Sequence, residues 1–166
     1  MDSVLPALLA VTILVLASLM LGRSGFNSFR VLSDSWQDAE ERSIERVRSD
    51  ISITSINVNG SDIDIVVKND GATAVVDFSR MDMLIQYTAA SITYNKYLDF
   101  TTVTTPQPDD SWRVLSISND VIDPRVLNAG ESMTIRARLN PQPGTGSHWL
   151  QVTTELGISA NLFFSS

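Results

Sequence analysis

The apolar residues of this chain change their spacing once, near residue 50, and no other feature constrains the fold as much. Up to that point the spacing is helical. Val4 to Leu21 (VLPALLAVTILVLASLML) carries no charge, and Phe26, Phe29, Leu32, Trp36 and Ala39 then recur every three or four positions, with Ile44 and Val47 continuing the stripe. From Ile51 the spacing is two, as ISITSINV and DIDIVVK show. Side chains three or four apart share a helix face, and alternate side chains share a strand face. The chain therefore reads as α+β, with a long N-terminal hydrophobic α-helix over residues 1–50 and an all-β body over 51–166. The helix is expected to be apolar to about residue 21 and amphipathic to about residue 48.

A helix rises about 1.5 Å per residue, so the charge-free run reaches about 27 Å, close to the roughly 30 Å of a bilayer's hydrocarbon core. Asp2 and Ser3 suit the N-cap, and Pro6 falls in the first turn, where its missing N–H has no helical partner anyway. A secretory signal would begin with basic residues, whereas this chain begins Met-Asp-Ser, which argues for a retained helix. Val4, Leu5, Leu8, Leu9, Val11, Ile13, Leu14, Leu16, Leu19 and Leu21 form the expected membrane segment. The stripe of Phe26, Phe29, Leu32 and Trp36 needs a partner, either the β body or the same helix of a neighbouring subunit. The plainer alternative is an anchor whose helix runs on to dock the body. Asp2 before the run and Arg23 after it place the body on the cytoplasmic side, an orientation that a basic leader upstream of Met1 would reverse.

In the body, Asn59-Gly60 supplies a hairpin pair between the first two strands, with Ile51, Ile53, Ile63, Ile65 and Val67 facing inward, and NDG at 69–71 marks the next turn. AVVDF, MDMLIQY, SITYNKYL, WRVLSI, SMTIRARL, HWLQVTT and SANLFF are further strand candidates, separated by clusters such as PQPDD and NPQPGTGS. Short strands at this spacing predict an immunoglobulin-like antiparallel sandwich.

Chemistry is sparse in this sequence. There is no cysteine, hence no thiol nucleophile and no disulfide framework. His148, the single histidine, sits beside Trp149 at a strand start, without an evident orienting partner or nucleophile. Asp62 and Asp64 share a strand face and Asp109-Asp110 share a loop, but neither pair has the regular ligand spacing of a calcium site, so they read as solvated carboxylates. No phosphate loop or nucleophile elbow is present. The formal net charge of -7 argues against nucleic acid as a partner. No enzyme activity, metal or cofactor is expected. Asn59-Gly60-Ser61 fits the N-glycosylation pattern, although the turn alone explains those residues. A membrane-tethered module binding sugar or protein would present an exposed aromatic patch on the sandwich.

An apolar helix at the amino terminus, an amphipathic continuation and an all-β head together resemble the type IV pilin superfamily, and within it the archaellins, the filament proteins of the archaellum. ISITSINVNGSDIDIVVKNDGATAVVDFSRMDMLIQY is similar to the opening of an archaellin head, and LNAGESMTIRARL to a later strand entry. Leu5 stands where many pilins carry a glutamate, which favours archaellins. The resemblance implies a structural subunit of an extracellular helical filament that serves swimming, membrane-inserted before assembly. Val4 to Leu21 would then bundle in the filament core, and Phe26, Phe29, Leu32 and Trp36 would lock neighbouring helices or the head. It implies self-association as a homopolymer, a prepilin-type peptidase, an assembly platform and its ATPase as partners. The alternative within the same resemblance is a minor membrane-anchored accessory protein that binds the envelope or the filament base.

Overall fold

Alternation of apolar and polar residues builds the body strand by strand. The computed structural model describes the backbone of residues 4–120 and 122–166; within the helix, side chains are described at 9–16, 18, 33, 35–37 and 39–48. The strands are β1 (Ile51–Asn59), β2 (Asp62–Asn69), β3 (Asp82–Ala89), β4 (Ile92–Phe100), β5 (Ser111–Ser118), β6 (Ser132–Arg138), β7 (Ser147–Thr153) and β8 (Ser159–Ser165). They form one eight-stranded sheet in the order β1-β2-β6-β5-β4-β3-β7-β8, and β1 and β8, the ends of that order, also approach each other. The sheet is thus nearly closed.

The inward residues come from alternate positions. On β2 and β6, Ile63, Ile65 and Val67 pair across with Ala137, Ile135 and Met133, and all six are fully buried. On the other side of the core, Met83 and Ile85 of β3 pair with Val152 and Leu150 of β7, and Leu98 of β4 pairs with Met83. Each fully buried aliphatic side chain contributes on the order of 1.5–3 kcal/mol. Trp112 of β5 is completely buried and meets Phe100 of β4 edge-on at 4.9 Å.

The chain divides into two units, Met1–Ser43 and Ile44–Ser166. In the first, helical backbone continues through α1 (Val4–Arg48), and the described side chains Leu9, Val11, Ile13, Leu14, Val15 and Leu16 are all more than half exposed. In the second, the end of α1 is tied to the loop after β2. Thr73 Oγ1 donates to the carbonyl of Glu45, Ala72 N–H to that of Arg48, and Asp70 and Gly71 N–H both to that of Asp50. Those bonds satisfy carbonyls that a helix end and its exit leave open. Gly71 is required for this approach: a Cβ there would lie 2.4 Å from Asp50 N and 2.6 Å from Arg48 O, and backbone cannot give way as a side-chain tip can.

Three sequence expectations are corrected. The α+β class, with a long N-terminal hydrophobic α-helix ahead of the immunoglobulin-like body, gives way to a mostly β protein. All eight strands join in one sheet, β4 and β5 run parallel, and among the described residues no helix is long and apolar enough to cross a membrane. Periodicity reports a local helical preference; it does not report burial or pairing, which fix the class. AVVDF is not a strand. Val75 makes a single bridge to Leu127, and Asp77 then caps a short 3-10 turn over Phe78–Arg80 by accepting from Ser79 N–H. The first hairpin turns on Gly60-Ser61, since Asn59 still pairs with Asp62. Positive φ is needed at the first turn position, where Gly60 has +63°.

Candidate functional site

The outward face of β2, β6 and β5 is laced with charges that sit opposite one another in register. Arg136 lies directly across from Asp64 and donates to both its oxygens, Nε at 2.7 Å and Nη2 at 2.8 Å. That bond holds the guanidinium pKa above its ordinary value. Arg138 bridges Asp62 and Asp109, each at 3.2 Å, and Lys96 meets Asp110 at 2.5 Å. The four carboxylates expected as solvated are thus all ion-paired, because the strand register brings a cation opposite or beside each. Among the described residues no group of three metal-ligating side chains gathers.

His148 is buried at the start of β7 and both ring nitrogens are committed. Nε2 lies 3.0 Å from Gly144 O and 2.9 Å from Ser166 Oγ, and Nδ1 faces the Thr88 N–H at 3.4 Å. These contacts fasten a loop and the last strand. Asn69, read only as a turn residue, is equally structural. It is buried, its Nδ2 donates to the carbonyls of Thr73 and Leu127, and its Oδ1 accepts from Gly71 N–H.

A groove opens where the pairing of β4 with β5 runs out. Only Asp99–Ser111 and Phe100–Trp112 pair across that seam, closed by Thr101 N–H donating to Trp112 O at 2.8 Å. Beyond Trp112, β5 has a strand neighbour only on its β6 side among the described residues. Backbone groups alternate direction along a strand, so those of Val114 face the same way as those of Trp112, into the groove. The space measures about 410 Å³ and is lined by Phe78, Phe100, the threonines of 101–104, Val114, Leu115 and Ile117, with Arg113, Asp120 and Arg125 around it. Arg113 Nε donates to Gln107 Oε1 at 3.0 Å. Gln107 is buried and its Nε2 donates to the carbonyls of Ser111 and Arg136, so the first arginine is braced from beneath. Asp120 accepts from the Arg125 backbone N–H, which turns that loop back toward β5.

A second surface lies across β4, β3, β7 and β8. Tyr97 pairs with Leu84 and Trp149 with Phe163, and the rows are completed by Gln151, Asn161, Gln86 and Asn95. Leu84, Tyr97 and Phe163 are exposed, by 40, 53 and 71% respectively, and the charges on this partly aromatic face are Asp82, which accepts from the Tyr97 hydroxyl at 2.6 Å, and Asp99 at the end of β4.

The remaining sequence candidates are placed as follows. Leu9, Val11, Ile13, Leu14 and Leu16 are exposed, and Trp36 is 70% exposed. The side chains of Val4, Leu5, Leu8, Leu19, Leu21, Phe26, Phe29 and Leu32 lie outside the described residues. Asn59 is exposed at the end of β1. The groove is not legible in the sequence, although Arg113 in WRVLSI is the lone charge of its strand and marks the place.

A nearly closed sheet with one charge-paired face, one partly aromatic face and a groove at its seam is the architecture of an immunoglobulin-like domain. Residues 47–161 match the family model of conserved flagellar protein F, immunoglobulin-like domain, and the chain belongs to that family. It is an archaellum-related protein. An uncharacterized protein of Archaeoglobus fulgidus is 29% identical over 148 residues, which cover 87% of this chain and 84% of that one. The archaellum periplasmic stator protein FlaG from Sulfolobus acidocaldarius superposes with a TM-score of 0.52 at 15% identity, over 70% of this chain and 99% of that one. The FlaF and FlaG stator complex of the same organism gives 0.52 at 15% identity, over 69% of this chain and 87% of the matched one. Archaeal flagellin FlaB1 from Methanocaldococcus jannaschii gives 0.50 at 16%, over 70 and 90%. At these identities the structural likeness is one of fold.

Proposed function

We propose that this chain is an accessory component of the archaellum in the cell envelope, a stator-like subunit that holds another archaellum protein through its β body. The family match over residues 47–161 carries this reading, because it takes in nearly the whole sheet. The fold shared with a periplasmic stator protein, and with a complex of two such proteins, supports it. The exposed apolar side chains Leu9, Val11, Ile13, Leu14 and Leu16 supply an attachment surface apart from the sheet.

Deletion of the gene should abolish swimming while filament subunits are still made, and the tagged chain should co-purify with a second envelope protein of the archaellum. Swimming that survives deletion would refute the proposal. A filament subunit is the second reading, supported by the fold shared with FlaB1. In that reading copies of the chain join through the same apolar side chains, and Leu14→Asp would abolish filaments.

A further inference from the structure

We infer that the groove beside β5 takes an extended, acidic peptide segment of a protein partner, which adds as a strand to the open edge of β5. The inference rests on the accessory-subunit reading and names where on the sheet such a partner is held.

Three observations converge on it. The first is backbone: β4 leaves β5 after Trp112, so among the described residues the strand from Arg113 to Ser118 keeps a neighbour on one side only, with a bulge at Leu115 that brings Val114 and Ile117 to the same face. An open edge with unpaired N–H and C=O groups is a template for another strand. The second is shape: Phe100, Val114 and Ile117 are half-buried and rest on the core, forming a fixed apolar wall. The volume of about 410 Å³ lies within the ordinary range for ligand sites. Strand addition uses main-chain bonds for affinity and such pockets, reached by alternate side chains, for specificity.

The third observation is charge. The chain as a whole is acidic, at -7, yet this groove carries two guanidinium groups, Arg113 and Arg125, against one carboxylate, Asp120. Asp120 is engaged by the Arg125 backbone N–H, and Arg113 is braced by Gln107, a neutral partner that leaves its charge unneutralised. Elsewhere on this half of the sheet Arg136 and Arg138 are matched to carboxylates. A carboxylate on the incoming strand would complete at the groove what the partner strand completes on β6. Arginine forks suit that recognition because they bind carboxylates with two parallel bonds.

The test uses the purified full-length chain and three acetylated peptides of about six residues, a usual strand length. One alternates valine with glutamate, one alternates valine with lysine, and one is the glutamate peptide with every backbone N–H methylated. Calorimetry should show the glutamate peptide binding and the other two at least about tenfold weaker, a difference of about 1.4 kcal/mol. The double variant Arg113→Glu, Arg125→Glu, with unchanged circular dichroism, should reverse the preference between glutamate and lysine peptides. Failure of the glutamate peptide to bind, equal binding of the methylated peptide, or an unchanged preference in the double variant would each overturn the inference. If the double variant fails to fold, the three peptides on the unaltered chain decide. None of these results bears on swimming after gene deletion, so the groove can fail while the accessory role stands.

Discussion

The two halves of the sheet share one core and present opposite surfaces. On β2, β6 and β5 the outward positions carry Asp62, Asp64, Arg113, Arg136 and Arg138, and register sets most of those charges against a partner. On β4, β3, β7 and β8 the same pleat positions carry Tyr97, Leu84, Trp149, Phe163 and a set of amides. The first surface satisfies itself and is closed to newcomers except where β4 leaves β5. The second carries two carboxylates and no cation among those strand positions, Asp82 accepting from the Tyr97 hydroxyl and Asp99 beside it, and keeps its apolar side chains in water. Surface chemistry in this fold is therefore set strand by strand, independently of a core that treats both halves alike.

The sharpest way to break that comparison is at the seam. Trp112→Ala removes the largest fully buried side chain and should cost about 3–5 kcal/mol. If the halves are one cooperative body, fluorescence of Trp149, read with Trp36 replaced by Phe, and far-ultraviolet circular dichroism will report the same lowered urea midpoint. Separate transitions would show two bodies.

Alkaline pH should act through the aromatic half. Tyr87 is buried, stacks on Tyr94 at 5.4 Å, and its hydroxyl has no hydrogen-bond partner among the described residues. Burial, aided by the charge of Asp110, pushes its pKa up to about 12. In the unfolded chain the phenol ionises near 10, so its contribution to stability is complete below that pH and is lost as pH rises toward 12. The loss should amount to about 2–3 kcal/mol. Tyr87→Phe should remove most of this dependence without weakening the fold at neutral pH, since the hydroxyl satisfies nothing there. Urea melts at pH 7, 10 and 11.5 measure both effects.

On the charged half, Asp64→Ala leaves Arg136 unpaired next to its cross-strand neighbour Arg113. The pair is about one-third exposed, so the cost should be about 1 kcal/mol and should shrink in high salt. Gln86→Ala on the other half should show no such salt dependence, and a matching dependence would erase the contrast. Smallest of all, Phe163→Ser should change stability by less than about 0.5 kcal/mol, because the ring is 71% exposed. A large cost would mean that the aromatic face is packed.

Much of this body is legible as local pattern. Ile63, Ile65 and Val67 alternate because β2 is buried on one side, and they lie in the core as the spacing requires. What local pattern cannot supply is pairing between distant segments. The parallel contact of Phe100 with Trp112 depends on a ten-residue connection, and nothing in either strand's alternation encodes its direction. Asn69 and Gln107 look like ordinary polar residues of loops or strand ends, yet each is buried by bonds to segments far along the chain. The ion pairs needed register as well: Asp62 and Asp64 reveal nothing of Arg138 and Arg136, more than seventy positions away. The groove is a consequence of the same seam, so its arginines became a pair only once β5 was placed.

The measurement that bears most directly on the account is the copy number of this chain in two fractions of the same cells, sheared filaments and washed envelopes, by quantitative mass spectrometry. An accessory component of the archaellum should remain with the envelope at far fewer copies than the filament subunits. Recovery as the dominant protein of the sheared filaments would contradict it.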